Sequence, residues 1–277
     1  MRRTWLEVTA VHVLLLLAVA VTIGPFLWVA LNSFKFFKDI IDQSWLFQPT
    51  LVNYHRLFFD KGSDFAILTV NSVIIALSST ALAVAIGSLA AYSLARFRWA
   101  KWASALILGW ILFVHMLPPI ALATPFFLLS RVFGVYNSHL AVVMAHLVVN
   151  LPIVVWMMKS FFDELPLELE EAALVDGCTR LGSFIRIALP LTAPGIAAAA
   201  ILACIFSWNE FLYALTLTST TSSMTVPVGI VKFAQEYSVQ YGEMSAAAAF
   251  ATLPVLLFVA FAQKQLVKGL TLGALKG

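Results

Sequence analysis

The sequence predicts an all-α, polytopic membrane protein with six transmembrane helices and both termini in the cytoplasm. Three observations carry that expectation. Of 277 residues, 61% are hydrophobic and only 11% charged, with a mean hydropathy of +0.94; soluble domains run at about 45–50% apolar and about 25% charged. Apolar runs near the spanning length of about 20 residues recur six times, at roughly 8–31, 66–95, 103–129, 139–161, 191–217 and 244–264. Basic residues are uneven across the connections. With the N-terminus inside, Arg2, Arg3, Arg96, Arg98, Lys101, Lys159, Arg180, Arg186, Lys264, Lys268 and Lys276 are internal, against Lys35, Lys38, Arg56, Lys61, Arg131 and Lys232 outside. Cytoplasmic segments carry such an excess.

The first run, behind Arg2 and Arg3, is longer than a signal-peptide core of about 7–15 residues and lacks a small-residue cleavage site, so it reads as an uncleaved span. A polar and aromatic outer loop, 32–65, leads to span two, and the basic turn RFRWAK leads to span three. Span three contains HMLPPIALATPFF, where Pro118, Pro119 and Pro125 each remove a backbone donor. That helix is expected to be kinked or broken, either lining a cavity or simply packing. The outer loop 130–138 joins spans three and four, the cytoplasmic loop 162–190 joins four and five, and a Ser/Thr-rich outer loop, 218–243, joins five and six. Without a repeat of 20–50 residues, a soluble domain or a flexible linker, residues 1–277 read as one membrane domain.

In span five, Ala199, Ala203 and Ser207 recur at helical spacing, a small-residue stripe suited to close helix approach in lipid. Glu210 follows three residues later and Asn209 stands beside it. With Pro118 and Pro119 they are candidate translocation-pathway residues, since an ionisable group inside a span marks function by default. The other reading of Glu210 is an interhelical hydrogen bond or a residue near the outer interface. Several function classes are excluded or unsupported. The basic residues form no stripe for nucleic acid. Cys178 and Cys204 make no disulfide framework, and the five histidines lack metal-ligand spacing. No G-x-x-x-x-G-K-[ST] loop is present to bind ATP, and no nucleophile–base pair suggests catalysis.

The cytoplasmic loop is the unusual part. Residues 171–190, EAALVDGCTRLGSFIRIALP, place a helix, a glycine break and a second short helix between two spans. Pro166 suits a helix start, Glu168, Glu170 and Glu171 its positive end, Gly177 a left-handed stop, and Thr179 the next cap. On a helical wheel Leu167, Leu174 and Val175 lie on one side and Leu169, Ala172 and Ala173 on the other. Two stripes suggest a helix held between its own membrane domain and a docked cytoplasmic body; the other reading of the wheel is a solvated charged loop.

Glu171-Ala172-Ala173, then Gly177, Ile187 and Leu189-Pro190, resemble the E-A-A-x₃-G-x₉-I-x-L-P signature of ABC importer permeases. AAYSLARFRW at 90–99, SWNEFLYALTLT at 207–218 and VKGLTLGALKG at 267–277 resemble the carbohydrate, maltose-permease branch, above all the second permease of actinobacterial trehalose importers. The resemblance implies the type I importer permease fold and a place in a bacterial inner (plasma) membrane. It implies import of a sugar, trehalose among the disaccharides, by half of a heterodimeric pathway. The partners it implies are a second, non-identical permease, two copies of a cytoplasmic ATPase, an extracytoplasmic sugar-binding protein and the lipid bilayer. Glu171, Ala172, Ala173, Leu174, Asp176, Gly177, Ile187 and Pro190 would form the ATPase-coupling segment. Thr221, Ser222, Met224, Val226 and Pro227 would lie in the loop that meets the binding protein. No cofactor is expected on this chain, with ATP and Mg²⁺ on the partner ATPase. The competing class is an ion-coupled secondary transporter, which commonly shows inverted repeats and a midplane ion site.

Overall fold

The computed structural model describes the backbone of residues 5–234 and 239–274, with side chains except at 6–8 and 262–274. The side chains of the C-terminal tail therefore lie outside the described residues. In chain order the elements are α1 (Trp5–Asn32), α2 (Phe37–Ile41), α3 (Val52–Phe59), α4 (Phe65–Arg96), α5 (Lys101–Met116), α6 (Pro119–Val132), α7 (His139–Glu164), α8 (Leu167–Val175) and α9 (Arg180–Ser183). A π-helical turn, Phe184–Ala188, follows, then α10 (Leu189–Leu191), α11 (Ala193–Asn209), α12 (Leu212–Leu217), α13 (Val226–Lys232) and α14 (Tyr241–Ala274). No strand occurs among the described residues.

Among the described residues, four helices are long and apolar enough to cross a membrane by themselves, in α1, α4, α7 and α14. Two further spans arise if bent pairs count as one: α5 with α6, bent by 96°, and the run 180–191 with α11, bent by 78°. The first bend has the expected cause. Leu117 and Pro118 are extended (ψ 135° and 131°), as residues preceding proline tend to be, and neither Pro118 nor Pro119 can continue the amide ladder. The second bend has a related origin. It falls at Thr192, just before Pro194, which lacks the N–H that would reach back four residues. Ahead of it the helix widens, with the Leu189 N–H bonded to the Phe184 carbonyl. One expectation changes. The fifth span is not a single helix to 217: α11 stops at Asn209, Glu210 is extended (ψ 128°), and the chain restarts as α12.

The described residues gather into two compact units, one from Met1–Ala66 and Gly229–Pro254, the other from Ile67–Val228 and Val255–Gly277. In the first, Phe58, Phe65 and Phe250 meet edge to face at 5.1–5.8 Å, an arrangement that aromatic quadrupoles favour. Gly242 leaves room for the buried Asn53 side chain, which a Cβ there would strike.

The second unit packs on α7. Ala83, Gly87 and Ala91 give α4 a small-residue face, and a Cβ on Gly87 would stand 2.7 Å from Val154. Ala199 and Ala203 of α11 are buried as their spacing predicted, and Gly195 lies against the Phe161 ring. Small residues let these helices approach closely where no hydrophobic drive acts between them. A Gly195→Leu variant is therefore expected to lose about 1–3 kcal/mol through overpacking, read as a lower unfolding temperature of the purified protein.

Candidate functional site

The second unit carries three polar constellations, at the loop end of α7, at the break between α11 and α12 and at the 218–226 segment. At the first, the last turn of α4 reaches α8. Arg96 Nε donates to Glu170 Oε1 at 2.7 Å and its Nη2 donates to the Leu165 carbonyl at 3.0 Å. The Tyr92 hydroxyl donates to the other Glu170 oxygen. The Arg96 and Glu170 side chains are only 7% and 8% exposed. A buried charge persists when paired and fully hydrogen-bonded, and here both carboxylate oxygens are occupied. Tyr92 is wedged among Phe97, Phe162 and Phe184, so the anchor has little freedom to move.

The consequence is a helix fastened by one charged side. Glu170 and Ala173 are buried, Leu174 is half-buried, and Leu167, Leu169, Glu171, Ala172 and Val175 are exposed, Val175 at 88%. This revises the two-stripe wheel: the attached side is centred on a paired acid, and most of both apolar stripes remains uncovered. The stop is as expected. Gly177 has φ +88°, its N–H reaches the Leu174 carbonyl at 3.2 Å, and the Cys178 N–H reaches that of Ala173 at 2.9 Å. That pair of bonds is a Schellman cap. The Thr179 hydroxyl accepts from the Gly182 N–H at 3.0 Å and caps α9. Asp176 is exposed, Ile187 lies half-buried in the π turn, and Pro190 is exposed in α10.

Where α11 ends, Glu210 and Asn209 part company. Asn209 is exposed and its amide donates back to the Ile205 carbonyl at 2.9 Å. Glu210 turns inward and caps α12: its carboxylate accepts from the Tyr213 N–H at 3.0 Å and the Ala214 N–H at 3.2 Å. His146, 1% exposed, is bonded through Nε2 to Glu210 at 3.1 Å and through Nδ1 to Ser207 Oγ at 2.5 Å. Ser207 Oγ in turn meets Ser79 Oγ at 2.8 Å. A carboxylate only accepts, so His146 Nε2 is the donor. In the neutral ring Nδ1 then accepts from Ser207. One network thus ties α4, α7 and α11 to the helix break. Sequence reasoning placed Glu210 and Ser207 on one face and read His146 as a structural histidine, but nothing in the sequence linked His146 to the other two. Pro118 and Pro119 are exposed at the bend between α5 and α6.

The third constellation is built on two asparagines. Asn137, with φ +59°, accepts on Oδ1 from the Ser219 and Thr220 N–H groups at 2.8 and 3.0 Å and from Ser223 Oγ at 2.7 Å. The Asn71 amide donates to the Thr221 and Met224 carbonyls, both at 2.9 Å, and Ser72 Oγ accepts from the Val226 N–H at 2.8 Å. His139 Nε2 lies 2.8 Å from Asn71 Oδ1. Of the five candidate contact residues, Met224 and Val226 are buried, Thr221 and Pro227 half-buried, and Ser222 exposed. Beyond them, 235–238 lie outside the described residues. Among the described residues no group of three His, Cys, Asp or Glu is placed to hold a metal.

Comparison with known proteins gives a consistent result. The family described as "Binding-protein-dependent transport system inner membrane component" matches residues 83–272. The sulfoquinovosyl glycerol transport system permease protein SmoH of Agrobacterium fabrum is 38% identical over 256 residues, covering 91% of this chain and 88% of that one. The trehalose transport system permease protein SugB of Mycobacterium tuberculosis is 35% identical over 266 residues, covering 94% and 95%. The trehalose/maltose transport system permease protein MalG of Thermococcus litoralis is 34% identical over 264 residues, covering 95% and 94%. In fold, the chain is similar to one from the crystal structure of a bacterial ABC transporter involved in the import of the acidic polysaccharide alginate. That likeness has a TM-score of 0.81 at 18% identity and covers 95% of this chain and 99% of that one.

Proposed function

The chain belongs to the family of binding-protein-dependent transport system inner membrane components, and on that premise we propose that it is one permease of an ATP-driven importer of a sugar or small glycoside. It would form half of a translocation pathway with a second, non-identical permease. Two copies of a cytoplasmic ATPase would hold ATP and Mg²⁺ and supply the energy, and an extracytoplasmic binding protein would deliver the substrate. The relatives named for trehalose, trehalose/maltose and sulfoquinovosyl glycerol support a glycoside of about disaccharide size; trehalose is our first choice to test.

The observation that carries this reading is the state of α8. Arg96 and Glu170 fix one side of the helix, while Leu167, Leu169, Ala172 and Val175 stand uncovered on a charged loop. A rigid helix with apolar residues presented to the cytoplasm suits docking on a motor subunit, with Gly177 as the turn that sets its angle.

The test is co-purification from native membranes in mild detergent, with a tag on the C-terminus. A second permease and an ATPase in fixed proportion are expected. In a Val175→Asp variant the ATPase is expected to drop out of the preparation while the unfolding temperature stays unchanged, because Val175 touches almost nothing in its own chain. A Gly177→Val variant separates shape from contact. An added Cβ there meets nothing within 4 Å, but φ is +88°, and a left-handed L-residue costs about 1–2 kcal/mol. Uptake is expected to fall by more than stability does. A chain that purifies alone and takes up sugar in liposomes on an ion gradient would replace this reading with that of a secondary transporter.

A further inference from the structure

Residues 33–51, which follow α1, fold back on themselves. The Thr50 N–H donates to the Phe34 carbonyl at 2.8 Å and closes the neck of the loop. The Asn53 amide donates to the carbonyls of Ser33 at 3.0 Å and Lys35 at 2.8 Å, and Ser33 Oγ meets Tyr54 Oη at 2.9 Å. Loops whose ends are tied in this way are compact bodies. The Trp45 ring lies 5.1 Å from that of Trp28, which is within α1 and four residues short of its end. At 1.5 Å per residue that is about 6 Å back along the helix axis. Lys35, 1% exposed, holds the same corner: its Nζ lies 4.5 Å from the Trp28 ring and 5.0 Å from that of Phe47.

The loop tip is thus folded back to the level of Trp28, inside the apolar run Thr9–Asn32 that is fit to cross the membrane. At that level Trp45 is 77% exposed and Leu46 95%, and Phe36, Phe37 and Ile41, earlier in the same loop, are also exposed. Lys38, Asp42 and Gln43 are exposed as well.

We propose that Trp45 and Leu46, with Phe36, Phe37 and Ile41, form a membrane-surface anchor lying in the headgroup–acyl boundary of the bilayer. Two arguments select lipid as the occupant. No residue of the apolar run in α1 is fully buried, and Phe26, Leu27 and Leu31, on either side of Trp28 in sequence, are exposed where the loop tip rests. The loop also combines an amphipathic tryptophan, apolar side chains and an exposed lysine, the composition that favours the interface. The anchor would fix the height of the first span.

The test places a nitroxide at Leu46→Cys, with Cys178→Ser and Cys204→Ala, in the purified transporter in phospholipid nanodiscs. Collisions with oxygen and with a water-soluble nickel complex are compared with those at Lys61→Cys, an exposed residue of the same outer loop. At Leu46→Cys, oxygen collisions are expected to exceed nickel collisions several-fold, at a depth of about 5–10 Å, with the order reversed at Lys61→Cys. Nickel dominance at Leu46→Cys would overturn the anchor and put the loop in water. An immobile label closed to both reagents would overturn it in favour of a second protein chain. With the native cysteines kept, brominated phospholipid is expected to quench the wild type more than Trp45→Phe, and equal quenching would also overturn the anchor. None of these readouts depends on transport, so the importer reading stands or falls separately.

Discussion

An Arg96→Met variant is expected to lose about 3–5 kcal/mol of stability, the usual consequence of stranding one member of a buried ion pair. The pair is buried on both sides, and the guanidinium also satisfies the Leu165 carbonyl where α7 ends. Methionine fills much of the volume but donates nothing. Glu170 then keeps only the Tyr92 hydroxyl, and α8 loses the tether that sets its place. Uptake should fall with stability, because the exposed side of α8 is useful only while the other side is fixed. The double variant Arg96→Met, Glu170→Met removes both charges and is expected to recover most of the stability, since apolar replacement of a buried pair is often neutral. Uptake should recover less, as the new contact is apolar and without direction. Thermal unfolding of the purified complex beside uptake in proteoliposomes checks both statements. An Arg96→Met protein as stable as the wild type would remove the ion pair as the anchor of α8.

What could be read from the sequence follows the range of each interaction. The stop at Gly177, the cap at Thr179 and the break at Pro118-Pro119 are local, decided by residues within one helical turn, and all are found in place. The Arg96–Glu170 pair is not local. Each partner had a sufficient explanation nearby, Arg96 as an inside-facing cation and Glu170 as an acid at a helix start, and nothing linked them across 74 positions. The wheel misjudged the attached side of α8 for the same reason: it sorts residues by polarity, and a paired acid packs where an apolar residue was expected. The end of α11 was hidden in another way. Asn209-Glu210-Phe211 contains neither glycine nor proline, and the helix stops because the Glu210 carboxylate takes the Tyr213 and Ala214 N–H groups that begin α12. His146 is buried because two polar groups from other helices meet it, which a single chain segment cannot announce.

Those contacts support the structural reading of Glu210, and Glu210→Gln with Glu210→Leu is the pair of variants that tests it. If Glu210 is the cap and latch, Glu210→Gln keeps an oxygen for the Tyr213 and Ala214 N–H groups and should cost only about 1 kcal/mol. Its half-saturating sugar concentration for uptake should match the wild type, because in that role the carboxylate serves the Tyr213 and Ala214 N–H groups and His146 rather than the sugar. Glu210→Leu has no acceptor. It strands two backbone donors at the start of α12 and the His146 Nε2 donor, and unsatisfied buried groups cost about 1–3 kcal/mol each. Folded protein should be scarce. Adding His146→Phe to Glu210→Leu should restore part of the yield, since it removes one stranded donor and sets an apolar ring beside the introduced leucine. A Glu210→Gln protein that folds normally yet needs far more sugar for half-maximal uptake would reverse the assignment, making the carboxylate a substrate contact that the α12 amides merely hold in place.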